Sequence, residues 1–333
     1  TSIKYTADDQ NGGAVEATLL VVITGVNDAP ASTPIPNQTS LDNAAVTFDV
    51  APHFTDPDAS DLFTFTAGGL PPGLSIDPAT GVISGTIDNS ASVSGPYNVT
   101  VTGTDPSGAA TSQSFVWTVS NPAPTATAEA FTTGENTNVS DNVLANDVDP
   151  DGDTLTVSAV NGVAGDVGAN VTGSNGGTFT IAADGVFNFA PGTDFNDLPV
   201  GASRSTTIAY TISDGEGGVS TALVTVTVNG VNDPPTSVPI PTQSDNDADA
   251  VTLDVSGYFV DIDTTDTLTF SSGGTLPPGL TIDPNTGVIT GTINPSASIG
   301  GPYSVTITAT DPSGSSTAQT FTIRNDGTAD LTG

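Results

Sequence analysis

The sequence predicts an all-β protein, a tandem of antiparallel β-sandwich modules arranged end to end as a rod. Three observations predict it: apolar and polar residues alternate at period two, Gly and Pro signals punctuate the runs, and the chain repeats itself at module length. In Tyr97-Asn98-Val99-Thr100-Val101-Thr102 the alternation puts Tyr97, Val99 and Val101 on one face and Asn98, Thr100 and Thr102 on the other. Phe115 to Val119 and Val224 to Val228 read the same way, as half-buried strands. Between such runs fall 37 Gly and 25 Pro, and Asp184-Gly185 between two apolar-alternating runs reads as a tight hairpin. Helical periodicity appears nowhere at useful length. Short strands with regular turn signals, in modules of about 90 to 110 residues, point to sandwiches.

The repeat sets the domain organisation. Residues 1 to 28 align without a gap on 206 to 233, and residues 30 to 119 recur as 235 to 325 with one insertion. Thr1 falls on Thr206 and Pro30 on Pro235, the same displacement of 205 positions, so two kinds of module alternate. The expected domains are residues 1–28 as the last strands of a module truncated at its front, then sandwiches over 29–121, 122–233 and 234–333. The linkers Gly25-Val26-Asn27-Asp28-Ala29-Pro30, Asn121-Pro122-Ala123-Pro124 and Gly230-Val231-Asn232-Asp233-Pro234-Pro235 are short and stiffened by proline. Such joints hold successive modules end to end, hence the rod.

Composition narrows the function. Three Lys plus Arg against 37 Asp plus Glu give a net charge of -34, which excludes nucleic acid and anionic membrane as partners and calls for cations nearby. Disorder would explain the charge, but not the many Val, Thr, Ile and Phe in alternating runs. The absence of cysteine removes disulfides, thiolate catalysis and zinc-thiolate sites together. No apolar run approaches the roughly 20 residues of a membrane helix, so this segment is expected not to insert in a membrane, and the first residues carry no signal-peptide pattern.

Two family resemblances follow from particular residues. Leu70-Pro71-Pro72-Gly73-Leu74 running on to Gly81-Val82-Ile83-Ser84-Gly85-Thr86, and Leu276-Pro277-Pro278-Gly279-Leu280 running on to Gly287-Val288-Ile289-Thr290-Gly291-Thr292, are each followed by Gly-Pro-Tyr and Thr-Asp-Pro-Ser-Gly. They resemble the dystroglycan-type cadherin-like, or immunoglobulin-like, modules of bacterial surface proteins. The module between them, with Asn146-Asp147-Val148-Asp149-Pro150-Asp151-Gly152-Asp153, Ala183-Asp184-Gly185 and Tyr210-Thr211-Ile212-Ser213-Asp214-Gly215, resembles the bacterial cadherin-like modules of very long repeats-in-toxin (RTX) adhesins. Together the resemblances imply an immunoglobulin/cadherin-like fold and a piece of a giant secreted adhesin, extracellular at the bacterial surface.

The acidic motifs are the candidate chemistry. Asp147, Asp149, Asp151 and Asp153 alternate around Gly152, which brings several carboxylates within reach of one point. Calcium, with six to eight oxygen ligands in loose geometry, suits such a set better than magnesium. The first six positions fit an EF-hand loop, but Ser158 stands where its bidentate Glu belongs, so the EF-hand reading fails and the calcium reading stays beside that of a metal-free Asx-rich turn. A second, distributed set is Asn27 and Asp28, then Asp56, Asp58 and Asp61, then Asp105; it recurs as Asn232 and Asp233, then Asp261, Asp263 and Asp266, then Asp311. This pattern resembles the cadherin elements that ligate interdomain calcium, a linker Asn-Asp, an Asp-x-Asp and an Asp-x-Gly-like loop, although the full cadherin linker reads Asp-x-Asn-Asp-Asn and its outer Asp and final Asn are missing here. The same logic brings in Asp9 and Asp214, each in the loop before a module's last strand. The resemblance implies several Ca2+ ions that stiffen the joints by being shared across them.

Other readings are weaker. His53 is the single histidine, between Pro52 and Phe54, with no nucleophile elbow or triad pattern around it, so no catalytic residue is expected and the chain is not expected to be an enzyme. Tyr97, Tyr210 and Tyr303 resemble core positions near a tyrosine corner. Phe187, Phe189 and Phe195, with the long loop from Pro191 to Arg204, are where a ligand surface is first expected, and Arg204 is expected to pair with a nearby carboxylate. The leading functional expectation is a calcium-rigidified extender that presents a distal module in cell adhesion or biofilm formation, with the neighbouring modules as its partners. The alternative is a calcium-dependent module that binds a host-surface glycan or peptide.

Overall fold

The computed structural model describes residues 1–325. Its regular elements are β-strands with short 3-10 turns between them, and they assemble as the alternation requires. By compactness the chain divides into two units. One is Thr1–Ala123 with Pro150–Asp153 and Glu216–Gly218; the other is Pro124–Asp149, Thr154–Gly215 and the chain from Val219 onward.

The first unit opens with a two-stranded hairpin, Ser2–Asp8 against Ala14–Leu20, in a register that sets Tyr5 opposite Ala17. A sandwich follows. One sheet has the order Gln38–Leu41, Ala110–Ser120, Tyr97–Thr104, Thr64–Gly68, and the other Ala45–Asp49, Val82–Thr86, Leu74–Ile76. Between them lies a core of Val50, Ile83, Ile87, Val99, Val101 and Trp117, each at most 1 % exposed. Val99 and Val101 are the inward set of the alternating run, while Thr100 and Thr102 face out and bond Ser114 and Ser112 across the sheet at 2.9 and 2.8 Å.

The second unit holds two further sandwiches. The first pairs the sheet Glu129–Gly134, Val219–Asn229, Ser203–Ser213, Thr156–Val160 with the sheet Val139–Asn142, Val186–Ala190, Thr178–Ile181, Val171–Thr172. The second repeats the topology of residues 38–120: Gln243–Asp245, Ser316–Asn325, Tyr303–Thr310 and Thr269–Gly274 in one sheet, Ala250–Asp254, Val288–Thr292 and Leu280–Ile282 in the other. Each has its own core cluster. The expected turn at Asp184-Gly185 is present: Gly185 has φ +83°, and Ile181 pairs with Phe187 across it.

The strand order departs from a purely antiparallel sandwich at one place. The first long strand of each sandwich pairs parallel with the last: Gln38–Leu41 with Ala110–Ser120, Glu129–Gly134 with Val219–Asn229, and Gln243–Asp245 with Ser316–Asn325. This pairing brings the end of the first strand to the point where the chain leaves the module. In the middle module Thr133 faces Val228 and Gly134 faces Asn229, so Glu135 arrives beside Val231.

Tyr97, Tyr210 and Tyr303 pack in the cores with tethered hydroxyls. Tyr97 Oη donates to the Ala91 carbonyl and Tyr303 Oη to the Ala297 carbonyl, both at 2.7 Å and both six residues upstream. Tyr210 is fully buried and donates to the Thr127 carbonyl at 2.8 Å. The aromatic ligand surface expected at Phe187, Phe189 and Phe195 is overturned, because all three are 0 % exposed. Phe187 and Phe189 lie on the inward face on either side of Asn188, and Phe195 with Leu198 pins the long loop onto the core. Among the described residues no helix is long and apolar enough to cross a membrane.

Candidate metal centre

Within the second unit, the linker Val231 to Asp233 runs between the ends of two sandwiches, and acidic groups from three elements meet it. Backbone and side-chain bonds fix them. Asn232 Nδ2 donates to Asp311 Oδ2 at 3.0 Å and to Ser315 Oγ at 3.1 Å. The Asp233 amide donates to Asp263 Oδ2 at 3.0 Å, and the Asp263 amide to Asp261 Oδ1 at 3.1 Å. From the preceding sandwich, Glu135 Oε1 accepts the Val231 amide at 2.6 Å. One carboxylate oxygen each of Asp261, Asp263 and Asp266 lies within 4.8 Å of the others.

What these bonds leave over decides the chemistry. Glu135 Oε2, Asn232 Oδ1, Asp233 Oδ2, Asp261 Oδ2 and Asp263 Oδ1 are buried, and among the described residues no donor reaches them. Buried acceptors without donors are costly and few in native proteins. All five oxygens, four of them from carboxylates, are acceptors only, and a hard divalent cation both satisfies such oxygens and offsets their charge, which a neutral donor does not. The electrostatics agree: burial pushes the Glu135 carboxyl up, and the negative charges of Asp233, Asp263 and Asp197 push it further. Asp261 and Asp266 are raised likewise, first by burial and then by neighbouring aspartates. Calcium's tolerance for irregular shells of six to eight oxygens fits this mixture of carboxylate and amide oxygens.

The first unit repeats three of these bonds. Asn27 Nδ2 donates to Asp105 Oδ2 at 2.9 Å, the Asp28 amide to Asp58 Oδ2 at 2.8 Å, and the Asp58 amide to Asp56 Oδ1 at 2.8 Å. Carboxylate oxygens of Asp56, Asp61 and Asp105 lie within 4.8 Å of one another. Burial, and then the charges of Asp58, Asp56 and Asp105, raise the Asp61 carboxyl. The upper half differs. Residues 1–20 form only the hairpin, and Asp28 is exposed where Asp233 is half-buried.

The remaining expected ligands divide. Of the run around Gly152, Asp149 belongs to the second unit and Asp151 and Asp153 to the first. Asp147 accepts the Thr127 amide at 2.7 Å and lies 3.3 Å from Tyr210 Oη, so it is tied to the Thr127 backbone beside a core tyrosine. Asp9 accepts the Asn11 and Gly13 amides at 2.9 and 2.8 Å in an exposed Asx turn. These backbone bonds hold its carboxyl below the usual range. Its counterpart Asp214 is buried. His53 stands half-buried in its loop with Nδ1 3.3 Å from Thr33 Oγ1.

Three acids at equivalent places escaped the sequence reading. Asp42, Glu135 and Asp247 each sit just past the strand that pairs parallel with the module's last strand. Asp42 is 4 % and Glu135 1 % exposed. The available signal was an Asn beside the acid in all three copies, Asp42-Asn43, Glu135-Asn136 and Asn246-Asp247. It carries meaning only once the parallel pairing is known.

The family models that match the chain agree with this architecture. Residues 121–230 match the bacterial cadherin-like domain, and residues 29–120 and 234–326 match the family described as "Putative Ig domain". No curated protein matches the chain. Among solved structures the chain is similar to Drosophila N-cadherin EC1-4, at 16 % identity over 97 % of this chain and 82 % of that one, with a TM-score of 0.45. Mouse cadherin-23 EC22-24 gives 18 %, 91 %, 99 % and 0.44. An endo-fucoidan hydrolase of glycoside hydrolase family 107 gives 20 %, 91 %, 45 % and 0.27.

Proposed function

We propose that this chain, which belongs to the "Putative Ig domain" family and carries a bacterial cadherin-like domain between its two Ig-like modules, is a calcium-stiffened extender of a secreted bacterial surface adhesin. The observation that carries the reading is the group of five buried, donorless oxygens contributed by Glu135, the linker and the Asp261–Asp263 loop. An ion there binds groups on both sides of the linker. Bending the joint separates them from the ion, so calcium favours one arrangement of the two modules, and its removal leaves like charges facing one another. The other proposed ligands are Asp266 and Asp311 in this joint, and Asn27, Asp28, Asp56, Asp58, Asp61 and Asp105 in the first unit. Several ions per chain follow. Neighbouring modules are the immediate partners, and the biological role is to present a distal module in adhesion or biofilm formation of the repeats-in-toxin kind.

Calorimetric titration with calcium, paired with melting curves in calcium and in excess chelator, tests this. Saturable binding and a melting temperature raised by calcium are expected. A flat titration with superimposable melting curves overturns it.

A second reading, calcium-dependent capture of a glycan or peptide, draws on a groove of about 730 Å³ beside the same joint, lined by Asn196, Asp233, Pro234, Val260, Asp261 and Ile262. Apolar walls next to an acidic centre are the usual make-up of a ligand cleft. Glycan and peptide arrays in calcium and in chelator separate the two readings, because an extender binds neither.

A further inference from the structure

We propose that Arg204 is a positioning residue of the joint between the second unit's two sandwiches: it holds the loop 194–198 as a latch on the following module, so that the joint keeps an ordered arrangement without divalent ions. Arg204 Nη1 donates to the Asp194 carbonyl at 3.0 Å, Nη2 pairs with Asp197 Oδ2 at 2.5 Å, and the Arg204 guanidinium lies over the Phe195 ring at 5.6 Å. One planar group thus engages three residues of a four-residue stretch, which a lysine's point charge cannot do. The stretch is pinned from below as well. Phe195 and Leu198 are buried in the module's core, and Asp194 Oδ2 accepts the Gly177 amide at 2.7 Å.

The loop so held faces the next module. The Asp197 carbonyl accepts Thr264 Oγ1 at 3.1 Å and the Thr264 amide at 3.4 Å. The linker is fitted to the same loop. A Cβ on Gly230 would lie 2.2 Å from the Leu198 carbonyl oxygen and 2.4 Å from that of Pro199, so only glycine lets the linker pass this close. All of these contacts are made by protein atoms alone. Arg204 is also one of three Lys or Arg residues in the chain, and it sits where Glu135 senses the charges of Asp197, Asp233 and Asp263. A fixed cation at this point offsets part of the repulsion that the acidic joint carries before any ion binds. The ion pair itself is partly exposed and contributes little attraction, so the effect of Arg204 lies in shaping the loop.

The inference stands whether or not the acidic group binds calcium, and the test keeps the two apart. The cysteine-free chain allows spin labels through Ser140→Cys and Thr281→Cys, both at exposed strand positions of the two sandwiches. Pulsed EPR in excess chelator then reads the spread of inter-module distances. A narrow distribution is expected for the otherwise unaltered chain, at least twofold broader for Arg204→Gln, and equally broad for Thr264→Val, which lies in the other module and leaves the loop's own fold intact. Arg204→Lys is expected to broaden it as Gln does. Equal widths for parent and both variants in chelator, or a parent already as broad as the variants, overturn the proposal. If Arg204→Gln fails to fold by circular dichroism, Thr264→Val decides alone: broadening supports the latch, and an unchanged width overturns it. Repeating the series in calcium bears only on the calcium reading, which predicts narrowing in every variant.

Discussion

Replacing Glu135 by Gln has opposite consequences with and without calcium, because its carboxylate is buried, 1 % exposed, and only half satisfied. Gln keeps an oxygen for the Val231 amide at the 2.6 Å contact but removes the charge. In chelator that charge is a cost: burial and the neighbouring aspartates raise the Glu135 carboxyl. A carboxyl raised in the folded state binds its proton more tightly there than in the unfolded chain. Stability without calcium therefore rises as pH falls from the raised folded value toward the ordinary unfolded one, and this contribution vanishes in Glu135→Gln. With calcium the charge becomes a ligand. An ion at a hundred times its dissociation constant stabilises by about 2.7 kcal/mol, and each kcal/mol moves the midpoint by about 2–4 °C for a unit of this size. One site thus adds about 5–10 °C. Removing one of five acceptor oxygens is assigned a tenfold loss of affinity, about 1.4 kcal/mol, which leaves about 1.4 kcal/mol at the same calcium concentration and roughly halves the shift. Differential scanning calorimetry of both proteins, in chelator and in calcium, reads all four midpoints. The expected pattern is a variant at least as stable as the parent in chelator and less stable in calcium. Equal destabilisation in both conditions would make Glu135 a packing residue and refute the reasoning.

Further expectations concern the cores and the opening hairpin. Phe189→Ala empties a fully buried site whose ring centroid lies 4.7 Å from that of Phe179, and is expected to cost about 3–5 kcal/mol; denaturant unfolding showing less than about 1 kcal/mol would place the ring outside the core. Tyr303→Phe removes the 2.7 Å bond to the Ala297 carbonyl and is expected to cost about 1 kcal/mol, measured the same way, with an unaltered midpoint as the contrary result. In hydrogen exchange the amides of Ser2–Asp8 and Ala14–Leu20 are expected to exchange orders of magnitude faster than those of Ser203–Ser213 and Val219–Asn229. Tyr5 is 54 % exposed where its counterpart Tyr210 is fully buried, and an isolated hairpin is marginally stable; matching protection factors would contradict this.

The hairpin also shows how far local pattern reaches. Residues 1–28 and 206–233 have nearly the same apolar positions, and both form the same antiparallel pair, Tyr5 opposite Ala17 and Tyr210 opposite Ala222. Strand, register and inward face are written in the alternation. Burial is not, because it needs the opposing sheet of the module: Val139–Asn142, Val186–Ala190 and their neighbours cover Tyr210, and among the described residues no such sheet covers Tyr5.

The same division holds at the joint. The linker Asn-Asp pairs and the Asp-x-Asp loops are legible in order along the chain, because Asx turns are local and the repeat supplies each motif twice. Glu135 is distant in sequence from Val231, and only the parallel pairing of the first and last strands brings them together. Asp147 sits among alternating aspartates yet turns to the Thr127 backbone, whose amide it accepts at 2.7 Å. Phe187 and Phe189 look equally suited to a surface or a core until two sheets close over them. The sequence by itself determined the all-β modules, their strand faces and the acidic character of their ends, since these depend on period-two patterning and turn chemistry. The tertiary structure alone decided which carboxylates lose their water together and which oxygens are left without donors, because desolvation depends on what packs around a group in space and not on its neighbours in the chain.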